Sequence, residues 1–315
     1  MTAPASIDAE LDVVLAAAGH TGGHTPLVAL PGGRDNQLYT TAAGGRHLVV
    51  KVPRTSRRVR YAVAAWVAAR LAEARIPAPI VLGYSDRLSV ETRCPGRPLD
   101  DPHRPPHSSN HDLAATAGRL LRRIHALPVG GFGRLDAHGV GLRPTLQSWI
   151  PHLPPLPPTA SPDLHALRAQ VQQVLRHHAP RLPTGPARLL HGDWTARHII
   201  TDNAAVTGVV DLESVRGGDP LTDLAGWSLQ EPAAHTAGLL AGYFNQPPDQ
   251  AARTVLVIYR LRIAACLLVH HLTDDDAAGV ALRTAQLHAD LADLSCGQPA
   301  AMPRISPEPP ATPVR

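Results

Sequence analysis

Two apolar runs that each end abruptly at an aspartate constrain the fold of this chain more than any other feature. The run at 189–190 is followed by a tripeptide that ends in Asp193, and the run at 206–210 is followed by Asp211. Short apolar runs that stop at a polar residue are typical of buried strands. Two carboxylates at neighbouring strand ends suit a catalytic base and a metal ligand. Taken singly, either aspartate is explained as well by a turn in a hairpin.

The order of the remaining predicted elements indicates an α+β chain with two lobes. Short strands dominate the first third of the sequence, around one Ala-rich helix at 60–74. Further helices are predicted at 111–127, at 163–179 and, two or three in number, across 221–295. We therefore predict a small β-rich lobe at 1–93 and a larger, mainly helical lobe at 94–296. The Pro-rich tail at 297–315 is predicted to be disordered.

Composition excludes several classes of protein. Apolar residues at 44% and charged residues at 18% indicate a globular chain. The net charge is +4, but aromatic residues at 3% are too few for a surface that stacks nucleic-acid bases. The most apolar stretch, 255–269, is too short to span a bilayer and contains Arg260 and Arg262. The N-terminal residues include acids rather than the basic start of a secretory signal. We expect a cytoplasmic protein without nucleic-acid or membrane partners.

Three sequence blocks resemble the signature of the aminoglycoside phosphotransferase and choline kinase-like family. The blocks follow one another in the family's order and are His191-Gly192-Asp193, Gly208-Val209-Val210-Asp211 and Gly218-Asp219-Pro220-Leu221-Thr222-Asp223-Leu224-Ala225. The resemblance implies a bilobal protein-kinase-like fold, with a nucleotide-binding N-lobe and a C-lobe that carries catalytic and acceptor-binding residues. It also implies ATP or GTP as phosphoryl donor and Mg²⁺ or Mn²⁺ as metal.

The resemblance assigns roles to three charged residues. Asp193 would orient the acceptor hydroxyl and accept its proton, and Asp211 would hold the metal that bridges the nucleotide phosphates. Lys51 would hold the α- and β-phosphates. It is the only lysine among 30 basic residues, which suggests a position where Arg does not substitute, because its compact ammonium differs from the planar guanidinium.

Further nucleotide contacts follow from the same resemblance. Gly33 and Asn36 lie in a segment similar to the family's nucleotide loop. Thr92 and Cys94 lie in a segment similar to the hinge that binds adenine through backbone groups. His191 and Asp219 are expected to brace the catalytic loop, although Asp219 and Asp223 are explained as well by capping of the helix that starts near Leu221.

Two positions depart from the family pattern. His198 stands five residues after Asp193, where the family has a metal-binding Asn. Imidazole suits Mn²⁺ or Zn²⁺ better than Mg²⁺, so three outcomes stay open: His198 ligates, a water replaces it, or one metal binds alone. The helix at 60–74 contains only Glu73 as a potential acidic partner for Lys51, near its C-terminal end. The acid that pairs with Lys51 is therefore left open.

The acceptor side is the least specified by the sequence. Glu213 and Glu231 would attract a cationic acceptor. Tyr259 and Arg262 lie on a predicted helix that could face the pocket, and a pocket that contains Arg262 would suit a neutral or anionic acceptor better. The predicted function is an ATP-dependent O-phosphotransferase acting on a hydroxyl of a small molecule such as an antibiotic. The alternatives are a metabolite kinase for choline, a sugar or an amino alcohol, and a nucleotide-binding pseudokinase. We expect a monomer or a dimer.

Overall fold

The computed structural model describes residues 5–31, 33, 35–54, 59–103, 109–202, 205–244 and 246–295. The predicted disordered tail at 297–315 lies outside these residues. The chain divides into two compact units, here called the N-unit and the C-unit. The N-unit comprises Met1–Asp101, Asp136–Gly139 and Arg197–Val215, and the C-unit comprises Pro102–Leu135, Val140–Ala196 and Arg216–Arg315. The predicted lobe boundary at 93/94 lies near the end of the first N-unit segment.

The N-unit is built on an antiparallel sheet of five strands in the order β1-β2-β3-β5-β4. A second sheet contains β6, β10 and β11. The elements are α1 (Ala5–Ala17), β1 (Val28–Leu30), β2 (Asn36–Ala43), β3 (Arg46–Pro53), α2 (Tyr61–Glu73), β4 (Val81–Tyr84), β5 (Ser89–Thr92), β6 (Arg97–Pro98), β10 (Ile199–Thr201) and β11 (Val206–Val209). The helix predicted at 60–74 is confirmed as α2.

Alternation along the strands separates an apolar face of the five-stranded sheet from a polar one. Val50 lies opposite Val90 and Tyr39, and these side chains pack with Leu11 and Leu15 of α1 in one buried cluster. Because successive side chains of a strand point to opposite faces, Lys51 lies on the other face. The apolar pattern of β3 therefore fixes the direction in which the lysine points.

The C-unit is mainly helical and includes a four-stranded sheet in the order β8-β7-β12-β9. Its elements are α3 (Ser109–Ile124), β7 (Phe132–Leu135), β8 (Gly141–Arg143), α4 (Leu146–Trp149), α5 (Pro162–His178), β9 (Arg188–Leu190), β12 (Arg216–Gly218), α6 (Leu221–Gln230), α7 (Ala233–Tyr243), α8 (Gln250–Thr273) and α9 (Ala277–Ser295). The predicted two or three helices across 221–295 are thus four in the described chain. Pro232 and Pro248 explain the extra breaks, since proline cannot continue a helix.

Helix α8 forms part of the core of the C-unit. It is long and apolar enough to cross a membrane by length and composition, with a mean hydropathy of 1.7, but 56% of that window is buried within the protein. Its Arg260 Nε lies 3.1 Å from both carboxylate oxygens of Asp290 on α9, and its Nη1 donates to the backbone oxygen of Ser228 on α6 at 3.1 Å. The buried arginine thus joins three helices.

Candidate active site

Lys51 is the centre of a buried cluster of charges in the N-unit. Its Nζ lies 3.3 Å from Glu213 Oε1, 3.4 Å from Glu91 Oε2 and 3.9 Å from Asp211 Oδ1. The lysine side chain is only 7% exposed. Three carboxylates from two elements therefore surround the single lysine of the chain.

The charges of this cluster do not balance, because one ammonium faces three carboxylates. Burial disfavours the charged ammonium, but the three carboxylates outweigh that effect and raise the pKa of Lys51 above its ordinary value. Burial also raises the pKa of Glu91, although the charge of Lys51 opposes the change. The excess negative charge favours the binding of a further cation beside Asp211.

A polar network holds Glu213 in place. Asn36 Nδ2 lies 3.1 Å from each carboxylate oxygen of Glu213, and Asn36 Oδ1 accepts the hydroxyl of Tyr61 at 2.9 Å. The guanidinium of Arg60 donates to the backbone oxygen of Glu213. Tyr61 also donates to the backbone oxygen of Lys51 at 3.2 Å. The first turn of α2 is therefore bonded to both Lys51 and the 3₁₀ turn that carries Glu213.

His198 and Asp211 lie at adjacent ends of a two-stranded hairpin. His198 precedes β10 and Asp211 follows β11, and the backbone N–H of Val210 donates to the oxygen of His198 at 3.0 Å. His198 Nε2 lies 3.4 Å from Asp211 Oδ2, while Oδ1 of the same carboxylate faces Lys51. Adjacent ligands of an octahedral cation at ~2.1 Å are about 3 Å apart, so this spacing fits shared coordination.

The donor set of this hairpin determines which cation it suits. A carboxylate oxygen fits Mg²⁺ well, whereas the imidazole nitrogen fits a borderline cation such as Mn²⁺ better. Asp211 has a left-handed backbone, with φ at 64°, which is uncommon for residues other than Gly, although Asp and Asn adopt it more often than most. Such strain at a polar strand end is typical of a functional position.

The glycine of the predicted nucleotide loop has a conformational role. Gly33 has φ at 78°, and a Cβ at this position would lie 2.2 Å from the backbone oxygen of Asn36. Its own backbone oxygen accepts Arg54 Nε at 2.9 Å. Gly32 and Arg34, also in the predicted loop, lie outside the described residues. No side chain is compatible with the tight turn at Gly33 that leads into β2.

The predicted hinge follows β5. The backbone N–H of Thr92 donates to Ile80 and that of Arg93 donates to His47, both at 2.9 Å. The N–H of Cys94 makes no hydrogen bond within the described chain. Burial and the charge of Glu91 raise the pKa of the Cys94 thiol to about 12. Of the two predicted residues, Cys94 keeps a backbone donor for a ligand, whereas the Thr92 N–H pairs within the sheet.

The C-unit contains the loop that carries Asp193. Asp223 of α6 accepts the backbone N–H of His191 at 2.8 Å and that of Gly192 at 2.9 Å. Gly192 has φ at 80°, which favours glycine in this turn. Asp219 accepts the N–H of Leu221 at 2.8 Å and so caps α6. Of these two aspartates, Asp219 accepts the first N–H of α6, whereas Asp223 holds the loop.

The environment of Asp223 is fully buried and polar. His125 Nε2 lies 3.1 Å from Asp223 Oδ2, and His125 Nδ1 lies 2.9 Å from the hydroxyl of Tyr243. Burial would raise the pKa of Asp223, but the hydrogen bonds from His125 and the loop N–H groups prevail and lower it. The carboxylate therefore stays charged and anchors the loop.

Of the four residues predicted on the acceptor side, Glu213 lies in the Lys51 cluster of the N-unit, and Glu231 and Arg262 have partners inside the C-unit. Glu231 Oε1 accepts the backbone N–H of Ala196 at 2.8 Å, in the chain segment that follows Asp193. The guanidinium carbon of Arg262 lies 4.1 Å from the centroid of the Trp149 ring, and its Nη2 donates to His152 at 3.4 Å. Burial and the charge of Asp219 raise the pKa of Tyr259. Binding of an acceptor by these four residues stays a prediction.

Comparison with known proteins identifies the family of this chain. A family profile described as "Phosphotransferase enzyme family" (APH) matches residues 26–256. The chain belongs to the phosphotransferase enzyme family. The resemblance stated from the sequence is thus confirmed. The prediction that this protein is an enzyme, a small-molecule kinase, is confirmed with it.

Relatives of this phosphotransferase extend over most of its length. Hygromycin-B 4-O-kinase of Escherichia coli is 26% identical over 266 residues, which cover 80% of this chain and 77% of that protein. A crystal structure of a thermostable mutant of aminoglycoside phosphotransferase APH(4)-Ia, in ternary complex with AMP-PNP and hygromycin B, has a TM-score of 0.75 at 23% identity and covers 91% of this chain and 100% of that chain. A choline/ethanolamine kinase family protein from Mesorhizobium loti has a TM-score of 0.62 at 22% identity, covering 91% and 93%. The predicted kinase-like fold is therefore confirmed.

The structure of this phosphotransferase brings together several residues that the sequence left apart. Lys51, Asn36 and Glu213 form one network in the N-unit, and Asp211 joins it to His198. Sequence reasoning missed Glu91 as a partner of Lys51. A signal was available, because a Glu inside a predicted strand is unusual. The loop-anchoring role of Asp223 also required the structure.

Proposed function

We propose that this protein is an ATP-dependent O-phosphotransferase that transfers the γ-phosphoryl group to a hydroxyl of a small molecule, in the first place an aminoglycoside-like antibiotic. The observation that carries the proposal is the buried Lys51, which lies among three carboxylates. One of them, that of Asp211, also lies beside His198. The relationship to Hygromycin-B 4-O-kinase supports an antibiotic acceptor. We assign nucleotide binding to the N-unit and acceptor binding to the C-unit.

Phosphoryl transfer depends mainly on positioning and on neutralisation of charge. Lys51 neutralises charge on the α- and β-phosphates as a compact ammonium, and the backbone N–H of Cys94 donates to the adenine. Asp193 orients the acceptor hydroxyl and takes its proton while the acceptor oxygen bonds to the γ-phosphorus and the bond to ADP breaks. His198 and Asp211 would hold a divalent cation, which supplies charge stabilisation to the nucleotide phosphates when bound. We propose ATP as the donor, with GTP as the alternative.

A metabolite kinase is the second candidate, and one observation favours it. Arg262 is stacked on Trp149 in the C-unit, and its positive charge would disfavour a polycationic acceptor. A choline, a sugar or an amino alcohol would then take the place of the antibiotic, with the same transfer chemistry. A nucleotide-binding pseudokinase is the third candidate, because His198 departs from the family's usual metal ligand.

The test is turnover by purified protein with ATP and Mg²⁺ or Mn²⁺. The acceptors are hygromycin B, other aminoglycosides, and choline and sugar controls, with the phosphorylated product identified by mass spectrometry. We expect an antibiotic to be phosphorylated, and Asp193→Asn to abolish that product. Wild-type turnover no higher than that of Asp193→Asn, with every acceptor, would contradict an enzymatic function. ATP binding without metal dependence would favour the pseudokinase.

We further propose that the enzyme is a cytoplasmic monomer or dimer without nucleic-acid or membrane partners. The burial of α8 and the ion pair of Arg260 with Asp290 support this, because a membrane-spanning helix rarely carries such a pair against its neighbours. Cell fractionation and light scattering of the purified protein test it. Recovery in the membrane fraction would contradict the proposal.

A further inference from the structure

Helix α2 offers no acid to Lys51. Glu73 is the only acidic residue of this helix, and it lies in the last turn, where its Oε2 is 2.9 Å from Arg70 Nη1. The Glu73 side chain is 65% exposed, whereas that of Lys51 is 7% exposed. In protein kinases the equivalent strand lysine pairs with a Glu of a helix. In this chain the pairing must come from another element.

Strand β5 places Glu91 on the same face of the sheet as Lys51. Lys51 lies opposite Ser89 and Val49 lies opposite Glu91, so that Lys51 and Glu91 are diagonal neighbours on paired strands. Long side chains in this relationship reach one another. The distance from Nζ to Oε2 is 3.4 Å, and both residues are more than nine-tenths buried.

Glu91 depends on Lys51 more than Glu213 does. Within the described part of the chain, Lys51 is the sole ion-pair or hydrogen-bond partner of the Glu91 carboxylate. Glu is depleted in strands, and an unpaired buried carboxylate is strongly destabilising. The carboxylate of Glu213, in contrast, also accepts from Asn36 and so has a partner besides Lys51. Within the described residues, the ion pair with Lys51 is therefore the interaction that compensates for burial of the Glu91 carboxylate.

We propose that Glu91 is the positioning residue of Lys51 and replaces, from a strand, the acid that protein kinases place on a helix. This proposal rests on the proposed function, since it assigns the way in which the nucleotide lysine is held. The backbone ladder between β3 and β5 fixes both residues, so the ammonium keeps its acidic partner whatever the position of α2. The pair of Lys51 and Glu91 is thus held by the sheet, and it forms without any movement of α2 toward the sheet.

Nucleotide affinity and steady-state kinetics of matched variants test the proposal. In Glu91→Gln we expect the Kd and KM for ATP to rise about tenfold, the effect of weakening one hydrogen bond to a charged group, with KM for the acceptor unchanged. Glu91→Asp should recover part of this loss because it keeps the charge. Glu73→Gln is the surface control and should match the wild type. In a Lys51→Met background, Glu91→Gln should cause no further loss of ATP affinity, since Glu91 acts through Lys51.

Each result supports or overturns the proposal. An unchanged Kd for ATP in a folded Glu91→Gln overturns it. An equal loss of ATP affinity with Lys51 and with Lys51→Met also overturns it, because that loss would show an effect on the fold alone. Failure of the proposed function has a different signature: the wild type then transfers no phosphoryl group to any acceptor, and the Kd values still decide the role of Glu91. A wild-type protein that binds no ATP overturns both.

Discussion

The carboxylate of Asp223 accepts the backbone N–H of His191 at 2.8 Å and thereby bonds helix α6 to the loop that carries Asp193. A second bond, from Gly192 at 2.9 Å, uses the other carboxylate oxygen. The geometry of the predicted catalytic base is therefore set by a buried acid that need not touch substrate. A substitution at Asp223 should therefore change the stability of the protein as well as its activity.

Replacement of Asp223 by Asn should destabilise the loop. An amide has one acceptor oxygen, so its NH₂ group would face one of the two backbone N–H donors. We expect a loss of unfolding free energy on the order of 3 kcal/mol, because a buried donor is left unsatisfied and His125 loses a charged partner. Denaturant unfolding of the variant measures this. Asp163→Asn, on the exposed first turn of α5, is the control and should cost less than about 1 kcal/mol, the effect of losing one charge at a helix N-terminus.

The same substitution has a characteristic pH dependence. The pKa of Asp223 lies below its unfolded value of ~3.9, so its stabilisation is fully present above pH ~4 and is lost as the pH falls through the folded pKa. The difference in unfolding free energy between wild type and Asp223→Asn should therefore be constant at neutral pH and shrink in acid. A difference that grows in acid would show that folding raises the pKa of Asp223 instead of lowering it.

Two variants of Glu231 separate a structural role from acceptor binding. Glu231→Gln keeps an oxygen that can accept the N–H of Ala196, so we expect folding and turnover to be retained. Glu231→Ala should lower both, because that N–H then loses its partner. If Glu231 instead binds a cationic acceptor by charge, Glu231→Gln will raise the acceptor KM about tenfold or more without changing the KM for ATP.

The metal preference of the enzyme should depend on His198. We expect activity with Mn²⁺ to exceed that with Mg²⁺ in the wild type, because one donor is an imidazole nitrogen. His198→Asn restores an amide oxygen and should preserve or raise activity with Mg²⁺ while lowering the ratio of Mn²⁺ to Mg²⁺ activity. Electron paramagnetic resonance of bound Mn²⁺ gives a readout independent of turnover. A large loss with Mg²⁺ and no gain with other metals would show another role for His198.

Substitution of Lys51 by Arg should inactivate the enzyme although the charge is kept. The planar guanidinium is larger than an ammonium and cannot occupy the same point among Glu91, Asp211 and Glu213. We expect kcat/KM for ATP to fall by about 10²-fold, the effect of a misplaced catalytic contact. Arg70→Lys, on the surface of α2, should have wild-type kinetics. Equal activity of Lys51→Arg would show that any cation suffices.

Cys94 should resist alkylation at neutral pH. The thiolate is the reactive form, and a pKa of about 12 leaves almost none of it at pH 8. Iodoacetamide labelling followed by peptide mass spectrometry measures the rate at each cysteine. Labelling of Cys94 should accelerate in Glu91→Gln, because the charge of Glu91 contributes to the raised pKa. Rapid labelling of Cys94 in the native protein at pH 7 would contradict this environment.

Local patterns of the sequence were sufficient for the fold class and for the family. The apolar residues around Lys51 coincide with β3, and the apolar runs before Asp193 and Asp211 coincide with β9 and β11. Pro232 and Pro248 separate α6 from α7 and α7 from α8, so the chain has four helices where two or three were predicted. These features are local, because strand and helix periodicity are written in neighbouring residues.

The sequence by itself determined that this protein has a kinase-like fold, a single lysine on a predicted strand, and a histidine where the family has a metal-binding Asn. Only the tertiary structure decided which acids contact that lysine and which aspartate holds the loop that carries Asp193. Glu91 lies forty positions from Lys51 along the chain and reaches it through the register of β3 and β5. Asp223 reaches His191 because α6 packs beside the loop. Ion pairs and hydrogen bonds act over a few ångströms, and separations of that size between distant residues arise only when the chain has folded.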